Sequence, residues 1–368
     1  MVKLHRGMRI ALKWLFGIIF TFLLYIGLSL AYATVYDFQP QQSIRLDLSQ
    51  KAPISVVPDS ILSFTLWNLG YGGLGAESDF FYETGSLISG GHFVTSPKEY
   101  VEKNIKGSAD FVTSIKSDFF LFQEVDFHSK RSYFNNQFDA IRKEIPDFAA
   151  TFAPNFKVDR IPIPILEPWN VIGSVHSGLG SFLRYQPYES TRYQLPGEYD
   201  WPTRIYQLDR CASVHRIKTA WNKDLVVINV HNSAYDKGGS LKKQQMDWLK
   251  AFFIKEYEAG NYVVIGGDWN QCPPNFPFDS FMPGQAGKYG QINIEDDFLP
   301  SDWTWVYDPR VPTNRKIANP YIKGETFVTL IDFFLISPNV KVRKVKGLNQ
   351  DFKFSDHQPV WMEVELVK

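Results

Sequence analysis

The stretch VVIGGDWNQ, residues 263 to 271, is the most informative part of the chain and shows where to look for a site. A short apolar strand ends in two glycines and then delivers Asp268 and Asn270. Because side chains alternate along an extended chain, these two polar groups share one side and Trp269 points to the other. A carboxylate beside a carboxamide can orient a water molecule and share a hard cation, as phosphate-ester hydrolysis requires. The G-D-x-N pattern is also common in turns, so it needs support from elsewhere in the chain.

The composition describes a chain that can bury a large core. Its 368 residues would allow two domains, but residues 60 to 368 contain no repeat or linker, so we predict one α/β domain there. The formal net charge is zero, from 39 basic and 39 acidic side chains, which excludes a global field attracting nucleic acid. Aromatic residues make up 16% of the chain, and we expect part of this surplus to line a surface.

The first residues differ in kind from the rest. Residues 1 to 13 are basic, and residues 14 to 33 are apolar and uncharged. About 20 residues at 1.5 Å each match the hydrocarbon thickness of a bilayer. A basic flank stays in the cytoplasm, so we predict a single-pass membrane protein whose domain lies outside. Small residues at Ala31 and Ala33 suit signal peptidase, so secretion after cleavage is the alternative. Residues 34 to 59 are predicted to be a tether.

From Ile61 onward, apolar strands alternate with amphipathic helices, and the strands are too many and too mixed for a simple doubly wound sheet. Helices are expected after Pro97, around Phe138 and from a capping Ser240. Strands are expected at residues 61–67, 119–122, 178–183, 212–217, 225–230, 330–336 and 360–366. Cys211 and Cys272 lie in the exported part, where a disulfide is permitted; two buried thiols are the other interpretation.

Polar residues follow the predicted strands at five places. These are Asn68 in W-N-L-G, Glu124 in L-F-Q-E-V-D, His231 and Asn232 in I-N-V-H-N, Asp268 and Asn270, and finally Asp332 in L-I-D-F-F with Asp356 and His357 in S-D-H-Q-P-V. Taken singly, Glu124 is also typical of a helix N-terminus and His231 of a hydrogen-bonded core histidine. Asp332 lies within an apolar run, where an unpaired carboxylate is costly, so His357 or a cation is its expected partner.

In this order the motifs resemble those of the endonuclease/exonuclease/phosphatase superfamily, over residues 60 to 368. Its members include pancreatic-type deoxyribonuclease, abasic-site endonucleases, bacterial sphingomyelinases and inositol polyphosphate 5-phosphatases. The resemblance implies a four-layer α/β/β/α sandwich, in which two mixed β-sheets pack face to face with helices outside. It places the active site at the edge where the strands named above end.

The resemblance also assigns roles to single residues. It makes Glu124 the principal ligand of a divalent cation, with Asn68 and Asp356 beside it. The expected catalytic residues are Asp268 and Asn270, which position the attacking water, Asp332 and His357, an orienting acid and its histidine, and His231, which contacts the phosphate or assists the leaving oxygen. Arg210, His176 and Asn232 are expected to bind substrate. Abasic-site endonucleases have a tyrosine where this chain has His176, before the S-G-L-G strand.

The predicted activity is metal-dependent hydrolysis of a phosphodiester or phosphomonoester by in-line attack of water. Carboxylate and amide oxygens select hard cations such as Mg²⁺ or Mn²⁺. Residues 185 to 209 and 272 to 290 are rich in aromatic residues and are expected to form a rim around the site. Such a rim suits nucleic acid or a lipid headgroup, and both substrates stay open. A catalytically inactive surface-binding protein on the same fold is the alternative, and no protein partner is indicated.

Overall fold

The strands at the centre of the molecule are apolar on both faces, because each sheet is covered on both sides. The computed structural model describes residues 6 to 367 except 84, 235, 237 and 285 to 291. The helices are α1 (Arg6–Val35), α2 (Lys98–Ser114), α3 (Gln137–Glu144) and α4 (Ser240–Glu258). In chain order the strands are β1 (Ser43–Arg45), β2 (Val56–Val57), β3 (Ile61–Asn68), β4 (Phe119–Asp126), β5 (Ala149–Ile161), β6 (Gly173–Leu183), β7 (Glu189–Gln194), β8 (Cys211–Thr219), β9 (Asp224–His231), β10 (Tyr262–Asp268), β11 (Thr304–Val306), β12 (Asn314–Arg315), β13 (Val328–Thr329), β14 (Asp332–Ile336), β15 (Val340–Gly347) and β16 (Val360–Leu366).

Two mixed sheets carry the fold. The first has the order β1-β7-β8-β9-β10-β14-β11, with β2 beside β8. The second has the order β15-β16-β3-β4-β6-β5, and β12 pairs with β13 in a separate ribbon. In each sheet one central pair is parallel, β9 with β10 and β3 with β4, and its neighbours are antiparallel. The strands β3, β4, β9 and β10 therefore all end at one edge of the molecule.

The sheets pack face to face, and alternation along each strand divides the core. Phe64, Leu121, Val227, Val264 and Phe334 belong to one buried cluster between the sheets. The opposite face of the first sheet packs under α4, and that of the second packs under α2 and α3. The predicted four-layer sandwich is confirmed.

The expected tether needs a correction, because much of it belongs to the domain. In β1, Ser43 pairs with Tyr193, and β2 pairs with β8. Between them, Gln50 donates hydrogen bonds to the carbonyls of Ile145 and Phe148, at 2.8 and 2.7 Å. The segment caps otherwise unpaired strand edges and buries Val57, which its low periodicity did not indicate.

The apolar N-terminal segment forms the long helix α1, which extends past both ends of the predicted span. Its most apolar 18-residue window has a mean hydropathy of 2.1, and none of that window is buried. Within α1 only Ala33 is buried, so α1 is not a core helix. By length and composition it can cross a membrane or act as a signal sequence.

The structure also shows how α4 is capped and whether the two cysteines are joined. The N-cap of α4 is Gly239 rather than Ser240, and the Asp236 carboxylate accepts a hydrogen bond from the Lys242 amide at 2.9 Å. No disulfide joins Cys211 and Cys272, which are both buried thiols. Burial raises the pKa of Cys272 to about 11, as expected for a thiol in a core.

One buried histidine links the stability of the fold to pH. His215 on β8 lies between two hydroxyls, Ser190 Oγ at 2.9 Å from Nδ1 and Ser213 Oγ at 3.0 Å from Nε2. Burial lowers the pKa of His215 to about 3, so the folded protein keeps this ring neutral. Unfolding would let it take up a proton at any pH between about 3 and its ordinary value of about 6.5.

We therefore expect His215 to contribute acid sensitivity. As pH falls from about 6.5 to 4, the unfolded state binds the proton first, so the free energy of unfolding decreases. The His215→Gln variant keeps a donor and an acceptor but cannot titrate, and its stability should fall less steeply over this range. Urea unfolding at several pH values measures both slopes, and parallel slopes would contradict the assignment.

Candidate active site

The alternation that builds the core also brings four polar side chains into the space between the sheets. Asn68, His231, Asp268 and Asp332 each continue the inward-facing positions of their strands, at the edge where those strands end or begin. The strand register pairs Asp268 with His231 on one side and with Asp332 on the other. All four are buried. The first sheet thus supplies three of these groups side by side, and Asn68 faces them from the second.

Glu124 reaches the same space through a defect in its strand. By alternation it would share the outward face of β4 with Phe120 and Phe122. However, the β4–β6 pairing slips between Phe122 and Val125, and Glu124 has a φ of +49°. This bulge turns the side chain inward, where its Oε1 accepts a hydrogen bond from Asn68 Nδ2 at 3.2 Å. Glu124 is also the most solvent-accessible acid of the group, with a side chain 26% exposed.

Asp268 is the hub of the cluster. Its Oδ2 accepts a hydrogen bond from Asn68 Nδ2 at 3.0 Å and lies 3.4 Å from His231 Nε2 and 3.8 Å from His357 Nε2. Its Oδ1 accepts a hydrogen bond from the Asn270 amide at 2.9 Å. As predicted, Trp269 points away, and its indole donates to the Phe333 carbonyl at 2.9 Å.

The glycines before Asp268 are needed for close strand packing. A Cβ on Gly267 would lie 2.0 Å from the Val230 carbonyl oxygen, and one on Gly266 would lie 2.7 Å from the Phe334 ring. Only residues without a side chain let β10 approach its neighbours this closely. The two glycines of the opening motif therefore set the position of Asp268.

The C-terminal motif completes the cluster. His357 Nδ1 donates to Asp332 Oδ2 at 2.8 Å, and its Nε2 lies 3.9 Å from Asp356 Oδ2. The Ser355 hydroxyl donates to the Asn68 carbonyl at 2.8 Å and accepts from the His357 amide at 3.1 Å. Ser355 thus joins the turn of residues 355–357 to the end of β3 by hydrogen bonds.

The two histidines differ in charge. Burial opposes a charge on His357, but Asp332, Asp356 and Asp268 outweigh it and raise the pKa of His357 well above its usual value. Burial, with Arg210 and His357 nearby, lowers the pKa of His231 well below its usual value. At neutral pH, therefore, His357 is a cation that can donate from both nitrogens, and His231 is neutral.

The acids carry more negative charge than their protein neighbours neutralise. Burial raises the pKa of Asp268 and of Asp356 to about 6, with Asp332 adding to the first shift and Glu124 to the second. Counting the four acids Asp268, Asp332, Asp356 and Glu124 against the three buried cations His357, Arg210 and Arg315 leaves an excess of one negative charge when all are ionised. This donor set fits a divalent cation, which would supply the missing charge.

Two parts of the cluster could hold such an ion. Asp268, Asp332 and His357 lie close enough together to be ligands. However, the His357 ring already donates to Asp332, and an imidazolium has no lone pair for a metal. Glu124 and Asp356 offer carboxylate oxygens, so we favour that side for a hard cation. Asn68 turns its Nδ2 toward Glu124, and its Oδ1 accepts a hydrogen bond from the Gly70 amide at 3.0 Å.

The structure places the predicted substrate-binding residues in different surroundings. Arg210 directly precedes β8, is 8% exposed, and interacts electrostatically with Asp268 and Glu124. No described residue accepts a hydrogen bond from its Nη1. Asn232 follows β9, and its amide donates to Met246 Sδ at 3.2 Å, so it turns toward α4. Asn270 likewise turns to that loop, donating to the Asn232 carbonyl at 2.9 Å.

The structure does not bring His176 into the cluster. Its ring packs against Phe127 and Phe152, with centroids 5.2 and 5.7 Å apart. Its charged neighbours are Lys157 and Asp126, and burial lowers its pKa. Its place among the substrate-binding residues therefore needs correction, because β6 directs this side chain to the aromatic outer face of the sheet.

Sequence reasoning missed several neighbours of the site. Asn314 on β12 places its amide nitrogen Nδ2 3.0 Å from His357 Nε2. Because a protonated Nε2 can only donate, a hydrogen bond between them requires the amide to be turned so that its oxygen faces the ring. Arg131 stacks 3.8 Å over the Tyr71 ring and pairs with Asp126, bracing the turn after Asn68. Asn314 and Arg131 lie outside the quoted motifs, and only the folded chain brings them to the site.

Comparison with known proteins agrees with this geometry. The family model described as "Endonuclease/Exonuclease/phosphatase family" matches residues 66–357, so the chain belongs to that family. Its members hydrolyse phosphate esters, generally with divalent metals, which supports general phosphoesterase activity. No curated protein sequence matches the chain significantly.

Solved structures share the fold at low identity. An endonuclease/exonuclease/phosphatase from Beutenbergia cavernae DSM 12333 superposes with a TM-score of 0.51 at 15% identity, covering 84% of this chain and 72% of that one. One from Bacteroides vulgatus has a TM-score of 0.50 at 15% identity, covering 84% and 100%. ANGEL2, a 2′,3′-cyclic phosphatase, has a TM-score of 0.50 at 13% identity, covering 88% and 99%.

The Asp332→Asn variant tests the charge assignment within the site. Asparagine keeps the size of the side chain but removes the largest charge that favours the His357 cation, so the pKa of His357 should fall. We expect kcat on a phosphodiester to fall by about 10²- to 10⁴-fold. NMR titration of the imidazole gives the pKa directly, and an unchanged pKa would show that Asp332 does not set the charge of His357.

Proposed function

We propose that this protein is a Mg²⁺- or Mn²⁺-dependent phosphoesterase that hydrolyses a phosphodiester or phosphomonoester by in-line attack of water. The observation that carries the proposal is the convergence of four acids with two histidines in opposite charge states. Burying so many ionisable groups together lowers the stability of a fold, but it suits a site that binds a cation and a phosphate. Glu124 and Asp356 would hold the cation, with Asn68 hydrogen-bonded to Glu124, and the cation would withdraw charge from a phosphate oxygen.

The chain's own groups would divide the remaining work. Asp268 is fixed by bonds from Asn68 and Asn270, so a water at its Oδ2 would be oriented toward a phosphate held beside it. With a pKa of about 6, Asp268 is ionised at neutral pH and can accept the proton of that water. His357 would donate from Nε2 to a phosphate oxygen, with Asp332 holding its ring.

Arg210 and His231 would complete the phosphate site. Arg210 is a buried cation with an N–H that no described residue accepts, and a phosphate oxygen would satisfy this group. His231 is neutral, and its Nδ1 has no hydrogen-bond partner among the residues that the structure covers. The nitrogen that faces the site is Nε2, which lies 3.4 Å from Asp268 Oδ2 and 4.0 Å from Glu124 Oε1, so Nε2 would contact a substrate oxygen.

The proposal includes the location of the enzyme. The basic residues before α1 and the apolar length of the helix support a single-pass anchor with the domain outside the cytoplasm. Secretion after cleavage near Ala33 remains the alternative. The substrate class, nucleic acid or a phospholipid or other small phosphoester, follows from neither the motifs nor the shared fold.

Replacing the proposed cation ligand tests the function. The Glu124→Gln variant should lose activity on bis-p-nitrophenyl phosphate by about 10²-fold or more, because a charged oxygen donor is removed. Its melting temperature should no longer rise when Mg²⁺ is added, whereas that of the unaltered protein should. The Glu99→Gln variant, on the exposed first turn of α2, is the matched control and should behave like the unaltered protein.

Either of two results would remove the proposal. Full activity of Glu124→Gln would show that this carboxylate holds no catalytic ion. Hydrolysis by the unaltered protein that persists in excess chelator, with no Mg²⁺-dependent change in melting temperature, would show that the acids serve no cation.

A further inference from the structure

The helix α1 meets the domain at the edge that carries the active site. Tyr32 Oη donates to Asp159 Oδ2 at 3.1 Å, and Arg160 Nη2 donates to Tyr25 Oη at 3.1 Å. Both partners lie at the end of β5. The strand registers place that end beyond Asp126, on the same side as Glu124. A further contact comes from the connection between β7 and β8, which leads to Arg210. There Trp201 Nε1 donates to Thr34 Oγ1 of α1 at 3.2 Å.

The order of these contacts gives the direction in which the helix leaves. Lys157 lies 5.9 Å over the Phe38 ring, Asp159 contacts Tyr32, and Arg160 contacts Tyr25. Moving toward the N-terminus of α1 therefore means moving outward along β5. Residues 6 to 21 are all exposed and continue past the active-site edge. The uncharged part of α1 beyond the domain contacts is therefore residues 14 to 24, while Tyr25 and Tyr32 of the predicted span lie at the domain surface. A membrane that contains this part of α1 must lie on the side to which the site opens.

Exposed apolar side chains cluster on the same side. We call them the apolar rim: Leu87, Ile88, Leu166, Trp169 and Trp201, whose exposures are 57, 53, 50, 79 and 56%. A group of large apolar side chains exposed together on one edge is unusual for a protein surrounded by water.

Hydrogen bonds join the rim to the helix. The loop of residues 164–170 binds that of residues 86–89, since the Leu166 amide donates to the Leu87 carbonyl at 3.0 Å. Arg160 Nη2 donates both to Tyr25 and, at 3.4 Å, to the Pro168 carbonyl. One guanidinium thus links α1 to the loop that carries Trp169, so the apolar surface is continuous with the helix.

We propose that the apolar rim rests in the headgroup layer of the membrane that anchors α1, and that the active site hydrolyses phosphate esters presented at that surface. This rests on the proposed function for the chemistry and on the anchor for the geometry. Tryptophan and tyrosine beside an apolar helix are typical of the membrane–water interface. The expected occupant of the rim is the bilayer, because the helix that enters it emerges there.

The first experiment locates the rim without using activity. Full-length protein in phosphatidylcholine vesicles is labelled with bimane at Leu166→Cys, or at Ala220→Cys as a control on the exposed turn at the opposite edge. The native cysteines are buried. Lipids with a nitroxide on the headgroup should quench the label at position 166 and leave the label at 220 unquenched. Equal quenching, or quenching only at 220, would overturn the proposal.

The second experiment compares one reaction in two settings. Bis-p-nitrophenyl phosphate is soluble, whereas hexadecyl p-nitrophenyl phosphate presents the same leaving group from a vesicle. The double variant Leu166→Ser, Trp169→Ser should hydrolyse the vesicle ester about tenfold more slowly and the soluble ester at the normal rate, because membrane contact scales with apolar area. Val342→Ser, on the edge strand β15 away from the rim, should leave both rates unchanged.

The two experiments separate this inference from the proposed function. Equal loss on both esters would overturn a membrane role for the rim, since the damage would then lie in the site. No Mg²⁺-dependent hydrolysis of either ester by the unaltered protein, with position 166 still quenched, would end the proposed function and leave the membrane-facing orientation standing.

Discussion

The structure depends on placing four carboxylates at the end of an apolar core. Asp268, Asp332 and Asp356 are buried among strands that carry almost only apolar side chains, and Glu124 lies at the opening. Such charges are unfavourable in a low-dielectric space unless they are paired. The His357–Asp332 bond and the nearby Arg210 offset part of this cost, and a divalent cation would offset the rest. The buried carboxylates therefore lower the stability of the fold but create a strong local electric field, as is common in catalytic sites.

Much of this arrangement could be predicted from the sequence because both sheets follow simple rules. Side chains alternate along strands, and strands that run the same way end together, so polar residues after apolar runs must meet at one edge. This placed Asn68, His231, Asp268 and Asp332 correctly relative to one another. The two glycines before Asp268 mark a close strand approach, which is visible in the sequence as a pattern.

Other features of the site and the fold could not be predicted, because they depend on residues that are distant in the sequence. Glu124 has the wrong parity for an inward residue, and only the bulge in the β4–β6 pairing turns it around. His176 follows the local motif but faces an aromatic cluster supplied by other elements. Residues 43 to 57 carry no strong periodicity because they form short edge strands, whose partners decide their structure. Only part of the expected rim of residues 185 to 209 is at the active-site edge: Trp201 is there, whereas Arg192 is buried. In the second expected rim segment, residues 285 to 290 lie outside the described part of the chain.

We propose that the converging acids hold one divalent cation within reach of a phosphate. Pulsed EPR of the protein loaded with Mn²⁺ and inorganic phosphate tests this most directly. We expect a bound ion with hyperfine coupling to ³¹P, and loss of that bound ion when Glu124 is replaced by glutamine. A tightly bound Mn²⁺ without ³¹P coupling, or an identical spectrum from the Glu124 variant, would contradict it.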